Sequence, residues 1–131
     1  MPTVLIVDDE PRLRMLYEQE LRAVGYDVVT AADGMSAVGV IEGGGVDVVV
    51  LDIAMPGMDG IEALRRILSV QNCLPVILNT GYSSYKDDFM TWAAEAYVVK
   101  SSDLSELMER IAEALAKRSG DAATDGGQGS V

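Results

Sequence analysis

The chain of 131 residues is long enough for one domain with a substantial core and too short for a two-domain enzyme. Hydrophobic residues make up 49% of it, which favours a folded globular protein. Its formal net charge of −11 opposes electrostatic attraction to nucleic-acid phosphates or anionic lipid, so we expect no direct contact with nucleic acid or membrane.

The single cysteine and the absence of histidine exclude several kinds of functional site. The single cysteine, Cys73, cannot form an internal disulfide, and MPTVLIVDDE turns acidic too soon for a signal peptide, so we expect a cytoplasmic location. No stretch approaches the roughly 20 apolar residues of a membrane span. The absence of histidine excludes Ser-His-Asp and Cys-His pairs, His-based zinc sites and a phosphohistidine on this chain.

Short apolar runs rich in β-branched residues predict five strands. Segments of helical period and turn residues separate them, which is the pattern of a parallel sheet with helical crossovers. The predicted strands are residues 3–7, 27–31, 46–51, 75–79 and 96–99.

Five helices are predicted between and after these strands. Each starts with a capping residue, an early proline or the onset of helical period. The predicted starts are Pro11, the residue after Asp33, Asp59, residue 84 and Asp103. The fourth of these helices is short, residues 84–94. The apolar face of the first is predicted to comprise Leu13, Leu16, Tyr17, Leu21 and Val24.

This alternation predicts an α/β fold with a doubly wound, flavodoxin-like parallel sheet of five strands. Right-handed crossovers favour the strand order 2-1-3-4-5. Such sheets bind ligands beyond the carboxyl ends of their strands, at the switch point beside the first strand. Functional residues are therefore expected at the strand ends.

Three aspartates stand at two of these ends. Asp8 and Asp9 follow the first strand and Asp52 follows the third, and these strands are neighbours in the predicted order. Two carboxylates about 5 Å apart repel by roughly 3 kcal/mol at an effective dielectric of about 20, so a converging set favours a shared cation. Carboxylates, a backbone carbonyl and waters are oxygen ligands that suit Mg²⁺.

Thr80 and Lys100, at the ends of the fourth and fifth strands, complete a predicted phosphoryl-acceptor site. Lys100 supplies positive charge to Asp52 or to an incoming phosphoryl group, and Thr80 offers a hydroxyl to a phosphoryl oxygen. Aspartate can form an aspartyl phosphate, so Asp52 is predicted to attack in line. Each residue alone also fits an ordinary turn, cap or salt bridge; their meeting at one edge of the sheet favours a site.

Four motifs in this order, VDDE, LDIAMPGMDG, NTGY and YVVK, resemble those of the response-regulator receiver domains of bacterial two-component signalling. The resemblance covers residues 3 to about 118. It implies that Asp52 is the phosphoacceptor and that Asp9 and Asp52 bind the metal with the backbone carbonyl of Ala54. It also implies that Asp8 holds a metal-bound water.

The same resemblance assigns the switching residues. It implies that Thr80 is the switch hydroxyl, Tyr97 the switch aromatic and Lys100 the phosphate-binding lysine. The phosphoryl group would come from a partner histidine kinase or phosphotransfer protein. The predicted fourth helix, the fifth strand and the fifth helix would then present the change to a target protein or output domain, or in a phosphorylation-dependent homodimer.

The resemblance further implies that the chain promotes only its own phosphorylation and dephosphorylation and is not otherwise an enzyme. The alternative that stays open is a receiver-like interaction module that no longer accepts phosphate. A haloacid-dehalogenase-type phosphatase would need a second aspartate two positions after Asp52, where Ala54 stands.

Three features depart from the family pattern. Ser101 follows Lys100 where the family usually has proline, and we expect a trans bond there because a non-proline cis bond costs about 3 kcal/mol. Ala54 and Tyr82 offer no carboxylate or amide to orient an attacking water, so we expect a slowly decaying phosphoaspartate. Trp92, on the predicted fourth helix, is interpreted as a packing residue.

The last segment, residues 119–131 (SGDAATDGGQGSV), has four glycines and no aromatic residue, which predicts a disordered tail or linker after a domain of residues 1–118. The sequence does not decide between a stand-alone regulator and a receiver excised from a longer one.

Overall fold

The computed structural model describes residues 2–52, 60–71, 73–80, 94–101 and 103–127, with residues 60, 61, 80 and 118–127 described by their backbone. Strands and helices alternate through the first seven described elements, and a fifth strand and a further helix follow them. In chain order they are β1 (Thr3–Val7), α1 (Pro11–Ala23), β2 (Asp27–Ala31), α2 (Gly34–Glu42), β3 (Val48–Leu51), α3 (Gly60–Val70), β4 (Val76–Thr80), β5 (Ala96–Val99) and α4 (Ser105–Gly127). The label α4 thus belongs to the helix that the sequence predicts as the fifth.

The sheet confirms the predicted topology. Its strands are all parallel and lie in the order β2-β1-β3-β4-β5. Val7 of β1 is in register with Leu51 of β3, so Asp8 and Asp52 leave the sheet side by side. Backbone bonds continue for one residue beyond both strands, from Asp8 N to Ala31 O at 3.1 Å and from Asp52 N to Val7 O at 3.0 Å.

Two apolar layers bury the sheet, one on each face. Leu5 and Val7 of β1 belong to the layer that contains the buried residues of α2 and α3. Val4 and Ile6 belong to the layer that contains those of α1 and α4. Because successive strand residues point to opposite faces, both sets must be apolar, which explains the continuous hydrophobic runs in the sequence.

Helix ends follow the predicted capping signals where these are described. Pro11 is at the start of α1, and the Asp33 carboxylate accepts a 2.8 Å hydrogen bond from Ser36 N at the start of α2. At the end of α1, Tyr26 N donates to Leu21 O at 3.1 Å around Gly25, whose φ is 104°. This is a Schellman motif, which requires a left-handed residue that glycine adopts without strain.

The predicted apolar face of α1 is partly wrong. Tyr17 and Leu21 are buried, but Leu16 is 38% exposed and Val24 is 61% exposed. Val24 lies outside the core because α1 ends at Ala23, so the helical period no longer directs it inward. Leu16 lies at the rim of the apolar stripe and lines an open cavity of about 490 Å³ beside Leu104.

Other boundaries differ by a few residues. β3 begins at Val48 instead of residue 46, and β4 covers Val76–Thr80 instead of 75–79. The helix α4 begins two residues after Asp103, whose carboxylate accepts a 2.9 Å hydrogen bond from Ser105 N. The predicted fourth helix, residues 84–94, falls almost wholly outside the described residues, as do Asp59 and Trp92.

The backbone of α4 continues as helix to Gly127, which lies within the segment predicted as a disordered tail or linker. Alanines at 122 and 123 are good helix formers, and extending a helix that already exists avoids the unfavourable nucleation step. The division of the chain at residue 118 stays a prediction. Among the described helices, none combines the length and apolar character required of a membrane span.

The two glycines at positions 25 and 39 make a matched test of the left-handed turn after α1. Gly25→Ala should lower the free energy of unfolding by about 1 kcal/mol, because alanine is strained at a φ of 104°. Gly39→Ala should leave it unchanged or raise it by up to about 1 kcal/mol, because a Cβ at this helical position meets nothing within 4 Å. Equilibrium urea unfolding measures both; equal effects would contradict the assignment.

Candidate functional site

Asp8, Asp9 and Asp52 converge at the carboxyl edge of the sheet, as predicted. Each offers a carboxylate oxygen, and these oxygens all lie within 4.8 Å of one another. Asp8 is 1% exposed and Asp52 is 5% exposed, while Asp9 is half-buried. The register of β1 and β3 brings them together, because their carboxyl ends are adjacent.

Lys100 follows β5 and reaches back across the edge of the sheet to two of these carboxylates. Its Nζ lies 2.9 Å from Asp8 Oδ2 and 3.0 Å from Asp52 Oδ2. Burial alone would lower the pKa of Lys100, but the hydrogen bonds to Asp8 and Asp52 and their negative charges outweigh it, so the pKa is raised above its usual range. Lys100 is therefore a permanent positive charge in this site.

The charges at the site fit a divalent cation. Three carboxylates and one ammonium leave a formal charge of −2 on groups that are buried or half-buried. Their oxygens are hard donors of the kind that bind Mg²⁺. Asp8 is already held at both oxygens, because Oδ1 accepts a 2.9 Å hydrogen bond from Glu10 N and Oδ2 contacts Lys100. This arrangement is compatible with the implied role of Asp8 in holding a water instead of the ion itself.

A contact from α1 fixes the turn that carries the first two aspartates. Arg14 Nη1 donates a 2.7 Å hydrogen bond to the backbone carbonyl of Asp8. Because a guanidinium hydrogen bond to a fixed carbonyl restrains the backbone, this contact sets the direction in which Asp8 and Asp9 leave β1. The role of Arg14 was not predicted from the sequence, since a single arginine on a helix carries no positional signal.

The remaining predicted residues are placed as follows. Thr80 is the last residue of β4, in register with Val99, and its side chain lies outside the description. Tyr97, on β5, is half-buried and packs against the core layer of α2 and α3. No peptide bond between described residues is cis, so the Lys100–Ser101 bond is trans, as expected. Ala54 and Tyr82 lie outside the described residues.

Two further polar residues lie beneath the site. Asn79 Nδ2 donates a 3.1 Å hydrogen bond to Tyr17 Oη, and both side chains are buried. Tyr17 was predicted on an apolar helix face, and Asn79 is the last residue of a predicted strand, but their contact was not predicted from the sequence. The sequence feature that could have indicated this contact is the presence of two polar groups at buried positions, the Tyr17 hydroxyl on an apolar helix face and the Asn79 amide at the end of a buried strand.

A comparison with protein-family models decides the family. The model for the response regulator receiver domain matches residues 4–112. The chain belongs to this family. It is 37% identical over 127 residues to the probable transcriptional regulatory protein TcrX of Mycobacterium tuberculosis, a match that covers 95% of this chain and 54% of TcrX. The chain thus spans about half the length of the curated relatives that it matches.

Solved receiver structures share its fold. The response regulator TrrA of Thermotoga maritima, in complex with Mg²⁺ and BeF, is 42% identical, with a TM-score of 0.85 and coverage of 88% of this chain and 100% of TrrA. TrrA in complex with the histidine kinase ThkA gives a TM-score of 0.83 at the same identity, with coverage of 88% of this chain and 99% of that one. The receiver prediction and the doubly wound fold are therefore confirmed.

The acidic cluster predicts stabilisation by magnesium. Mg²⁺ at ten times its Kd should add about 1.4 kcal/mol to the unfolding free energy and raise the thermal midpoint. Asp9→Asn should abolish this shift, because Asp9 is one of the three converging carboxylates. The exposed Glu42→Gln should retain it. Thermal unfolding with and without Mg²⁺ measures the shifts; an unchanged shift in Asp9→Asn would exclude this site.

The raised pKa of Lys100 predicts a pH dependence with a definite sign. The pKa of Lys100 in the folded protein lies above the ordinary value of 10.5. The stabilisation of the fold by protonated Lys100 is therefore fully present below pH 10.5 and is lost as the pH rises through the folded pKa. The difference in unfolding free energy between the wild type and Lys100→Met should stay constant at neutral pH and shrink above pH 10.5. Urea unfolding over this range measures it, and a difference that shrinks near neutrality would contradict it.

Proposed function

We propose that this receiver domain accepts a phosphoryl group on Asp52. The observation that carries the proposal is the contact of Lys100 with both Asp8 and Asp52, with a third carboxylate, that of Asp9, within 4.8 Å. A buried carboxylate beside a fixed ammonium and a cation site has the surroundings that phosphoryl transfer requires, because positioning and charge stabilisation supply most of its catalysis.

The reaction proposed is transfer from a phosphohistidine. A carboxylate oxygen of Asp52 attacks the phosphorus, a phosphorus–oxygen bond forms, and the phosphorus–nitrogen bond to the partner's imidazole breaks. The electron pair of that bond stays with the imidazole nitrogen, which takes up a proton. The ammonium of Lys100, 3.0 Å from Asp52 Oδ2, is placed to offset negative charge on the transferred group. Thr80, at the end of β4, is the proposed hydroxyl partner of a phosphoryl oxygen.

Magnesium is the proposed cofactor. Asp9, Asp52 and the backbone carbonyl of Ala54 would hold it, with Asp8 acting through a water. When bound, Mg²⁺ supplies the positive charge that brings phosphoryl oxygens beside carboxylates. The formal charge of −2 at the site supports a divalent ion over a monovalent one.

The proposed partner upstream is a sensor histidine kinase or a phosphotransfer protein. The likeness to TrrA, which has been seen bound to the kinase ThkA, supports it. The absence of histidine from this chain fits the receiving end of the transfer. We place the reaction in the cytoplasm as part of the same proposal, and the domain's own activity is limited to its phosphorylation and dephosphorylation.

The proposed output is a change of surface. A phosphoryl group adds about −1.5 to −2 charge beside Asp52 and competes for Lys100, which in this structure bonds Asp8 and Asp52. Lys100 follows β5, which also carries Tyr97, so the change would reach the surface of β5, α4 and the predicted fourth helix. The relatives are transcriptional regulators of about twice this length, so a DNA-binding output domain or a separate target protein is proposed as the recipient.

A small-molecule phosphodonor tests the proposal without the kinase. With Mg²⁺, the wild type should gain one phosphoryl group by intact mass, and Asp52→Asn should gain none because its amide cannot form an acyl phosphate. Asp27→Asn, which changes an exposed aspartate at the start of β2, should be phosphorylated like the wild type. Phosphorylation of Asp52→Asn would show that another residue is the acceptor, and no phosphorylation of the wild type would favour the interaction module.

A further inference from the structure

A buried hydrogen bond joins α1 to the end of β4. Asn79 Nδ2 donates to Tyr17 Oη at 3.1 Å, with Tyr17 2% exposed and Asn79 3% exposed. Asn79 is the residue before Thr80, where β4 ends. The contact therefore fixes the strand one residue away from the proposed hydroxyl partner of the phosphoryl group.

The pair is polar in an otherwise apolar layer. Tyr17 belongs to the layer of α1 and α4, with Val50 and Ile77 among its buried members. A hydroxyl or amide buried without a partner costs about 1–3 kcal/mol, and the bond between the two side chains offsets such a cost for both. An apolar contact tolerates small sliding movements, whereas a hydrogen bond holds two atoms at a set distance and angle.

Tyr17 also lies within the electrostatic field of the acidic cluster. Burial raises the pKa of its hydroxyl, the bond from Asn79 and the charge of Lys100 lower it, and the charges of Asp8 and Asp52 raise it again. The charges of Lys100, Asp8 and Asp52 therefore reach the Tyr17 hydroxyl, and the Tyr17–Asn79 bond is coupled electrostatically to the site.

Two contacts from α1 hold the strands on either side of β3. Arg14 bonds the carbonyl of Asp8 at the end of β1, and Tyr17, less than one turn further along the helix, bonds Asn79 at the end of β4. The strand order places β3, and so Asp52, between these two strands. One helix thus sets the positions of both neighbours of the strand that carries the proposed acceptor.

We propose that Tyr17 is a positioning residue that holds the carboxyl end of β4, and with it Thr80, for a phosphoryl group on Asp52. This inference rests on the function proposed above. Because the three aspartates of the proposed magnesium site follow β1 and β3, a change at Tyr17 should affect binding of the phosphoryl group without affecting the affinity for Mg²⁺. A residue that served only to stabilise the fold would not separate the two affinities.

Beryllofluoride, which imitates a phosphoryl group on aspartate, provides the test. The Kd for Mg²⁺ alone and the Kd for beryllofluoride at saturating Mg²⁺ are measured for the wild type, Tyr17→Phe and Tyr26→Phe. Tyr17→Phe should raise the beryllofluoride Kd about five- to tenfold, a ratio that corresponds to the free energy of one hydrogen bond. It should leave the Mg²⁺ Kd within about twofold of the wild-type value. Tyr26→Phe, a half-buried tyrosine after α1, should change neither.

A double variant separates positioning from stability. Tyr17→Phe leaves the Asn79 amide buried without this partner and should lower the urea midpoint; Tyr17→Phe with Asn79→Leu replaces both polar groups and should recover it. The beryllofluoride Kd should remain raised in the double variant. Wild-type beryllofluoride affinity in either variant, or an equal loss of Mg²⁺ affinity, would overturn the inference. Failure of the wild type itself to bind beryllofluoride would instead contradict the proposed function.

Discussion

The repulsion among Asp8, Asp9 and Asp52 is the constraint on which the rest of the site depends. A lysine–carboxylate contact of about 3 Å is worth roughly 5 kcal/mol at an effective dielectric of about 20, before desolvation, against roughly 3 kcal/mol of repulsion for two carboxylates about 5 Å apart. Lys100 can therefore offset the repulsion between the two buried aspartates that it contacts. The third carboxylate leaves an excess of negative charge that a lysine alone does not neutralise, and a divalent cation does.

The fold tolerates the repulsion among the three aspartates because its stability comes from apolar burial and backbone hydrogen bonds outside the site. Both faces of the sheet are covered by apolar layers, so burial of the strands stabilises the positions of their ends whatever stands there. The ladder bond from Asp52 N to Val7 O holds the end of β3 to β1, and Arg14 restrains the turn after β1. Charge at the site is thus held in place by packing and backbone bonds that do not depend on it.

Much of this could be predicted from the sequence for a physical reason. The strands are apolar on both faces, as in a parallel sheet covered on each side. Right-handed crossovers then favour the observed strand order, which brings Asp8 and Asp52 together. Asp52 was one of two partners predicted for Lys100 from its position after the fifth strand, whereas the contact of Lys100 with Asp8 was not predicted. The pattern does not predict where side chains on helix surfaces point or which residues they contact.

For this reason Leu16 was predicted to be buried but is exposed. The hydrogen-bond partners of Arg14 and Tyr17 could not be predicted from the sequence either. Those contacts depend on where α1 lies against the sheet, which periodicity does not determine. Capping residues were more informative. Asp33 could be assigned because its role is local and depends on a few consecutive residues.

A crystal structure of the protein with Mn²⁺, a substitute for Mg²⁺ whose anomalous scattering identifies it, would show whether the three aspartates share one cation. One anomalous peak is expected at the carboxyl edge of the sheet, with carboxylate oxygens of Asp9 and Asp52 at about 2.1 Å and Asp8 in reach through a water. An anomalous peak only at another place, or no peak at a saturating Mn²⁺ concentration, would show that the three aspartates do not share a cation.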